Sequence, residues 1–160
     1  MQSYFSDVTD LFLIQLCIAA ICGFAFGLER QLRGKPFGVR TCILICAGTM
    51  LFVTLGQQLA GAGTDPTRVL GQVITGIGFI GAGVILARDG YVKGITSSAV
   101  VWILAGVGAA VGLQRFGTAL ITTGFGVTTL FICQRLETAI KALQRGVHKH
   151  HDHDNDHGHD

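Results

Sequence analysis

At 160 residues, with 49% hydrophobic and only 14% charged side chains, the chain is too apolar for a soluble domain, which carries about a quarter charged residues. Its formal net charge is +2 and its mean hydropathy +0.52. No nucleic-acid partner is expected, and no nucleophile–base set suggests an enzyme.

A membrane span needs about 20 mainly apolar residues to cross a ~30 Å hydrocarbon core. Five stretches qualify: residues 10–28, 39–60, 69–87, 95–113 and 116–133. The expected fold class is therefore all-α, a polytopic membrane bundle of about five transmembrane helices over residues 1–133. Basic residues orient it. Arg30, Arg33, Lys35, Arg40, Arg88, Lys93, Arg135, Lys141, Arg145 and Lys149 fall on one side, and only Arg68 and Arg115 on the other. That predicts the N-terminus outside and the C-terminus cytoplasmic.

The first span follows MQSYFSDVTD, which has two aspartates and no Lys or Arg. A signal peptide starts basic, so a retained helix is predicted. Ala19, Gly23 and Gly27 recur every four residues, a small-residue ridge suited to close helix packing. Glu29 and Arg30 end this span near Arg40 and Thr41 at the start of the next, and a Glu29–Arg40 ion pair is the favoured reading. The intervening Lys35-Pro36-Phe37-Gly38 reads as a turn. In span two, Cys42 and Cys46 share a face in apolar surroundings and are read as small hydrophobes; the five cysteines form no disulfide framework.

Asp65-Pro66 signals a helix start, with Asp65 as N-cap and Arg68 as a neighbouring anchor. Span three then carries Gly76-Ile-Gly78-Phe-Ile-Gly81, which fits G-x-G-x-x-G. A dinucleotide turn needs an acidic residue about 20 positions on, and none occurs between Asp89 and Glu137. The glycines are read instead as packing surfaces. Gly71, Thr75, Gly78 and Ala82 share one face and Gly76 and Gly83 a second, so span three is expected to be the central helix. A kink or unwound turn around residues 76–83 is the lesser reading.

Span four offers Ala105, Gly108 and Gly112, with Trp102 expected in the bundle core; span five offers Gly117, Gly124 and Thr128. Gln15, Thr49, Thr54, Gln72, Thr75, Ser97, Ser98, Thr122 and Thr123 are read as interhelical hydrogen-bonding groups. No charged residue sits in the middle of a span, which counts against a self-contained ion pathway. Residues 134–147 show helical spacing and are read as an amphipathic cytoplasmic helix on the membrane surface. All six histidines, His148, His150, His151, His153, His157 and His159, lie among aspartates in the tail 148–160. Such a tail is expected to be disordered without metal, and its donors suit Zn²⁺, Ni²⁺ or Cu²⁺.

The segments GLERQLRGKPFGVRT (27–41), DPTRV (65–69), QVITGIGFIGAGVIL (72–86) and GITSSAVVW (94–102) together resemble the MgtC/SapB family, in its N-terminal membrane domain. The resemblance implies a bacterial inner-membrane protein of five helices, linked to growth in low magnesium and, in pathogens, to survival inside macrophages. It implies a regulator of the F-type ATP synthase or of membrane energetics, not a pump. The competing expectation is a magnesium or transition-metal transporter, perhaps homo-oligomeric, served by the tail. On the resemblance, Glu29, Arg30, Arg40, Thr41, Asp65, Arg68 and Thr96 are the candidate partner or ligand residues. The sequence departs from the family pattern at Gly94-Ile-Thr96-Ser97-Ser98-Ala, at Ile103, where some virulence-associated members have a cysteine, and in lacking an ACT-like domain after span five.

Overall fold

A computed structural model describes the backbone of residues 2–59, 65, 67–88 and 91–151, and the side chains of 9–59, 65, 67–85 and 92–139. Its elements are α1 (Gln2–Leu32), α2 (Val39–Leu59), α3 (Thr67–Ala82), β1 (Leu86–Arg88), β2 (Tyr91–Lys93), α4 (Ile95–Gly112) and α5 (Phe116–His151). Two compact units are distinguished, residues 1–127 and 128–160. The first holds the helical bundle. The second is the remainder of α5, where the Arg135 guanidinium lies 4.9 Å from the Phe131 ring centroid, a cation–π contact.

Four helical segments are long and apolar enough to cross a membrane: Thr9–Leu32, Val39–Leu59, Ile95–Gly112 and Phe116–Ala139. The fifth expected span is shorter. α3 stops at Ala82 after 16 residues, about 24 Å at 1.5 Å per residue. Gly83 and Val84 turn, closing Val84 N–H to the Gly81 carbonyl and Ile85 N–H to that of Ala82. The chain then enters an antiparallel hairpin pairing Leu86 with Lys93, Ala87 with Val92 and Arg88 with Tyr91. Unwinding therefore occurs past the end of the glycine motif, while Gly76 and Gly78 remain helical. Asp-Gly at 89–90 is the sequence signal for a two-residue hairpin.

Close backbone approach builds the bundle. A Cβ on Gly23 would fall 2.6 Å from Ile43 Cα, and one on Gly27 would collide with Val39 Cα, so the predicted ridge seats α1 on α2. On α4, a Cβ at Gly108 would strike the Cys46 carbonyl, and one at Gly112 would lie 2.9 Å from that of Met50. Cys22, Cys42 and Cys46 are buried free thiols in this packing.

The expected central helix is not the observed one. α4 touches α1, α2 and α3, and ten of its 18 residues are buried. A helix without charge on any face can be enclosed, and α4 has none. In α3 only Ile77 and Gly81 are buried. Cβ atoms on Gly71, Gly76 or Gly78 would meet nothing within 4 Å, and one on Gly83 only carbonyls of its own helix. Of the span-three glycines only Gly81 packs on a neighbour, against Ser98 of α4. Trp102, expected in the core, is 60% exposed, because the phase of α4 gives the buried face to Val101, Leu104, Ala105 and Gly108 instead. Further along, α5 continues unbroken past residue 133 as far as His151. The 134–147 segment is thus a continuation of α5, and the helix extends four residues into the tail expected to be disordered; 152–160 lie outside the described residues.

Gly108→Ala should cost about 1–3 kcal/mol, the usual cost of overpacking a filled interface, and lower the melting temperature of the purified protein. Gly78→Ala should be neutral or stabilising, since a helical alanine is favoured by about 0.5–1 kcal/mol over glycine. Equal melting shifts for the two would contradict this packing.

Candidate functional site

The end of the bundle that the basic residues assign to the cytoplasm is organised by the last turns of α1. Glu29 does not reach Arg40. Its Oε1 instead lies 2.5 Å from Arg33 Nε, one helical turn away, and Arg40 is exposed. The i,i+4 geometry within one helix satisfies Glu29 without drawing a second helix in.

Arg30 is the more consequential residue. Its side chain is only 1% exposed, and Nη2 donates to Ser97 Oγ at 2.5 Å, across from α1 to the first turn of α4. Arg30 Nε and Glu29 Oε2 are buried without hydrogen-bond partners. A buried guanidinium next to a helix N-terminus, which carries about half a positive charge, relies on the adjacent Glu29 carboxylate and the Ser97 hydroxyl. Ser97 had been expected to bond between helices, but not to be part of the site. Thr96, the candidate beside it, is exposed. The distinction depends on helix phase: α4 starts at Ile95, after Gly94 in a left-handed conformation (φ +97°), and this turns the serine inward. A Cβ at Gly94 would collide with the Val84 carbonyl, so glycine is required there.

Asp65 caps α3 as expected. Its Oδ1 accepts from Thr67 N–H at 2.8 Å and from Thr67 Oγ at 2.7 Å. Those two hydrogen bonds hold its carboxyl below the usual carboxylate range, the hydroxyl bond being the larger cause.

Two further candidates line one groove, at its opposite ends. Thr41 and Arg68 both line a groove of about 870 Å³ between α2 and α3, whose walls are largely aliphatic. Gly48 and Gly76 lie in its lining, and neither would meet anything within 4 Å if given a Cβ. At these two positions the helix backbone itself forms part of the groove wall. Among the described residues no group of three or more His, Cys, Asp or Glu is placed to hold a metal; the side chains of the histidine tail are outside them.

The other polar groups divide into two kinds. Gln15 crosses to α4, donating from Nε2 to the carbonyls of Val111 and Gly112, both at 3.2 Å. Thr75 and Thr123 turn back on their own helices, to the carbonyls of Gly71 and Ala119, as threonine commonly does.

Removing the hydroxyl in Ser97→Ala should cost about 1.5–3 kcal/mol, the range for a hydrogen bond to a charged group. Arg30→Met should cost less, because replacing a buried charge by an apolar side chain is often nearly neutral. Thermal melts of the two variants rank them. For Asp65 the lowered carboxyl means a cap that is fully present above the ordinary carboxylate range and is lost as pH falls below that range and through the lowered value of the folded state. Hydrogen exchange of the first α3 amides should accelerate in acid, and Asp65→Asn, which still accepts a hydrogen bond, should flatten that dependence.

The family model for the MgtC family matches residues 16–139. Among relatives, YhiD of Escherichia coli (strain K12), named as a candidate magnesium transporter, is 43% identical over 112 residues, covering 66% of this chain and 52% of YhiD. Protein SapB of Bacillus subtilis (strain 168) is 40% identical over 121 residues, 71% of this chain and 52% of SapB. Protein MgtC of Salmonella typhimurium (strain LT2) is 35% identical over 112 residues, 70% of this chain and 48% of MgtC. No solved structure matches the chain. It spans about half the length of these relatives. The matched region runs from the middle of α1 into α5 and contains Arg30, Ser97 and both walls of the groove: the chain is a multi-pass membrane protein that belongs to the MgtC family.

Proposed function

We propose that this protein is a regulatory or accessory factor of the bacterial inner membrane, acting in magnesium homeostasis or membrane energetics through helix contacts with another membrane complex, of which the F-type ATP synthase is the leading candidate. The observation that carries this reading is the open α2–α3 groove, with Gly48 and Gly76 uncovered. Small residues drive helix association in lipid by letting backbones approach. Gly23, Gly27, Gly108 and Gly112 are consumed inside the bundle, whereas Gly48 and Gly76 of the groove meet no neighbour and remain available to a partner helix. The buried cation, Arg30, is bonded to Ser97 at one end of the bundle, which favours a structural role over ion conduction. The magnesium connection comes from the relatives, YhiD by its name and the family through growth in low magnesium. The histidines and aspartates of 148–160 are proposed to chelate Zn²⁺, Ni²⁺ or Cu²⁺ as an accessory to that role.

Growth and total cellular magnesium in deletion and complemented strains under magnesium limitation are the first test. A growth defect at unchanged magnesium content is expected. A defect with lowered content, restored on complementation, would instead favour transport, as would metal-dependent flux in proteoliposomes. In parallel, Gly48→Leu combined with Gly76→Leu should fill the groove, leave the melting temperature within a few degrees, and abolish recovery of the partner complex in mild detergent. Recovery of the protein alone from the wild type would refute contact with another complex and indicate a second copy as the occupant.

A further inference from the structure

A crevice of about 330 Å³ lies between α3 and α4 and ends at the first turn of α5. Leu70 and Ile74 stand on its α3 wall, and Trp102, Gly106, Ala109 and Leu113 on its α4 wall. Those four follow steps of four, three and four residues, one face of a helix. Arg115, in the turn between α4 and α5, is the one charged group in the lining. From Trp102 to Leu113 the lining extends along α4 for about 16 Å at 1.5 Å per residue. That is the depth of a single leaflet, half of a ~30 Å hydrocarbon core. A cation thus stands at headgroup level, and a tryptophan near the middle of the membrane.

Both ends of the crevice are set in ways that packing does not require. Trp102 is exposed at a depth where lipid tails end, whereas tryptophan usually sits at the membrane interface. One turn above it the face falls away, since a Cβ at Gly106 would meet nothing within 4 Å. The indole therefore forms a floor beneath a slot of small residues. At the mouth, Arg115 is exposed and makes no ion pair among the described residues. The first turn of α5, which holds Thr118 and no acidic residue, adds N–H groups without helical partners and about half a positive charge. Spread over its length, the volume is a cross-section of roughly 20 Å², whereas a helix about 10 Å wide needs roughly 80 Å². A single hydrocarbon chain fits the slot, and a helix does not.

We infer that this crevice holds one anionic phospholipid, with an acyl chain between α3 and α4 and its phosphate on the Arg115 guanidinium. The guanidinium fork matches phosphate oxygens in a bidentate pair, and the amides that open α5 add donors suited to the same anion. An anionic headgroup is favoured over a zwitterionic one, because no lining carboxylate is present to take an ammonium. The distribution of basic residues assigns this end of the bundle to the outside, so the lipid is one of the outer leaflet. Seated there, the chain covers Gly106 and lies against both Ile74 and Trp102. It ties α3, in which only Ile77 and Gly81 are buried, to the central helix. Binding here needs neither the α2–α3 groove nor a partner complex, so its failure and that of the regulatory role are separate results.

The test uses Trp102, the sole tryptophan of the chain, as its reporter. The full chain is reconstituted into phosphatidylcholine vesicles containing increasing fractions of phosphatidylglycerol or phosphatidylcholine brominated on the acyl chains. Bromine quenches indole fluorescence on contact. Brominated phosphatidylglycerol should quench at about fivefold lower mole fraction than brominated phosphatidylcholine, the preference that one basic side chain confers on an anionic lipid. Arg115→Lys should keep that preference, and Arg115→Gln should remove it. Gly106→Leu should fold as well as the wild type, since its Cβ meets no neighbour, yet lose the preference by filling the slot. Equal quenching by the two lipids, or a preference that survives Arg115→Gln, would overturn the headgroup site. A preference that survives Gly106→Leu would overturn the seat of the chain and leave only a general attraction of anionic lipid to the surface. Quenching by neither lipid would show Trp102 covered by protein, such as a second copy of the chain, and would overturn the proposal as a whole.

Discussion

The structure depends on how closely α4 approaches its neighbours. In lipid, burying apolar surface supplies little force between helices, so contact distance decides which helices associate. Gly108 and Gly112 bring α4 against the middle of α2, and Gly23 and Gly27 bring α1 against its N-terminal turns. Each of these glycines sits where a methyl group would overlap a backbone atom. The result is a tight core of α1, α2 and α4. α3 is held to it mainly along α4, through Ile77 and Gly81.

Two buried polar side chains fix the register within that core. Gln15 and Arg30 both reach from α1 to α4, the first to Val111 and Gly112 and the second to Ser97. Fifteen residues separate the two on α1, about 22 Å at 1.5 Å per residue, and 14 separate Ser97 from Val111. The spacings match, as antiparallel helices require. A slide of one turn would unpair a buried guanidinium at one end and a buried amide at the other, and each loss is expensive where no water can substitute. Close packing thus chooses the partners, and the two polar pins choose the alignment.

What this core leaves over is the basis for function. Among the described residues, the glycine-rich face of α3 and the α2–α3 groove are left uncovered by this packing, which is what the proposed partner contact rests on. The two ends of the bundle differ in chemistry. One has a buried cation locked to a hydroxyl, and the other a buried amide, Gln15, bonded to the last carbonyls of α4.

Much was legible in the residues themselves. Composition and spacing determined a membrane bundle of five helices, the glycine ridge of α1, the small face of α4, and the Asp65 cap, because each depends on local chemistry or on one helix at a time. The shared segments determined the family. Only the tertiary structure decided that α4, not α3, is central, that Trp102 faces outward, and that Glu29 pairs with Arg33 while Arg30 goes to Ser97. A glycine stripe states that close approach is possible without saying whether a neighbour arrives; Gly108 and Gly76 look alike in sequence and differ entirely in what lies beside them. Arg30 and Ser97 are 67 positions apart, and nothing local to either specifies the phase of the two helices that brings them together.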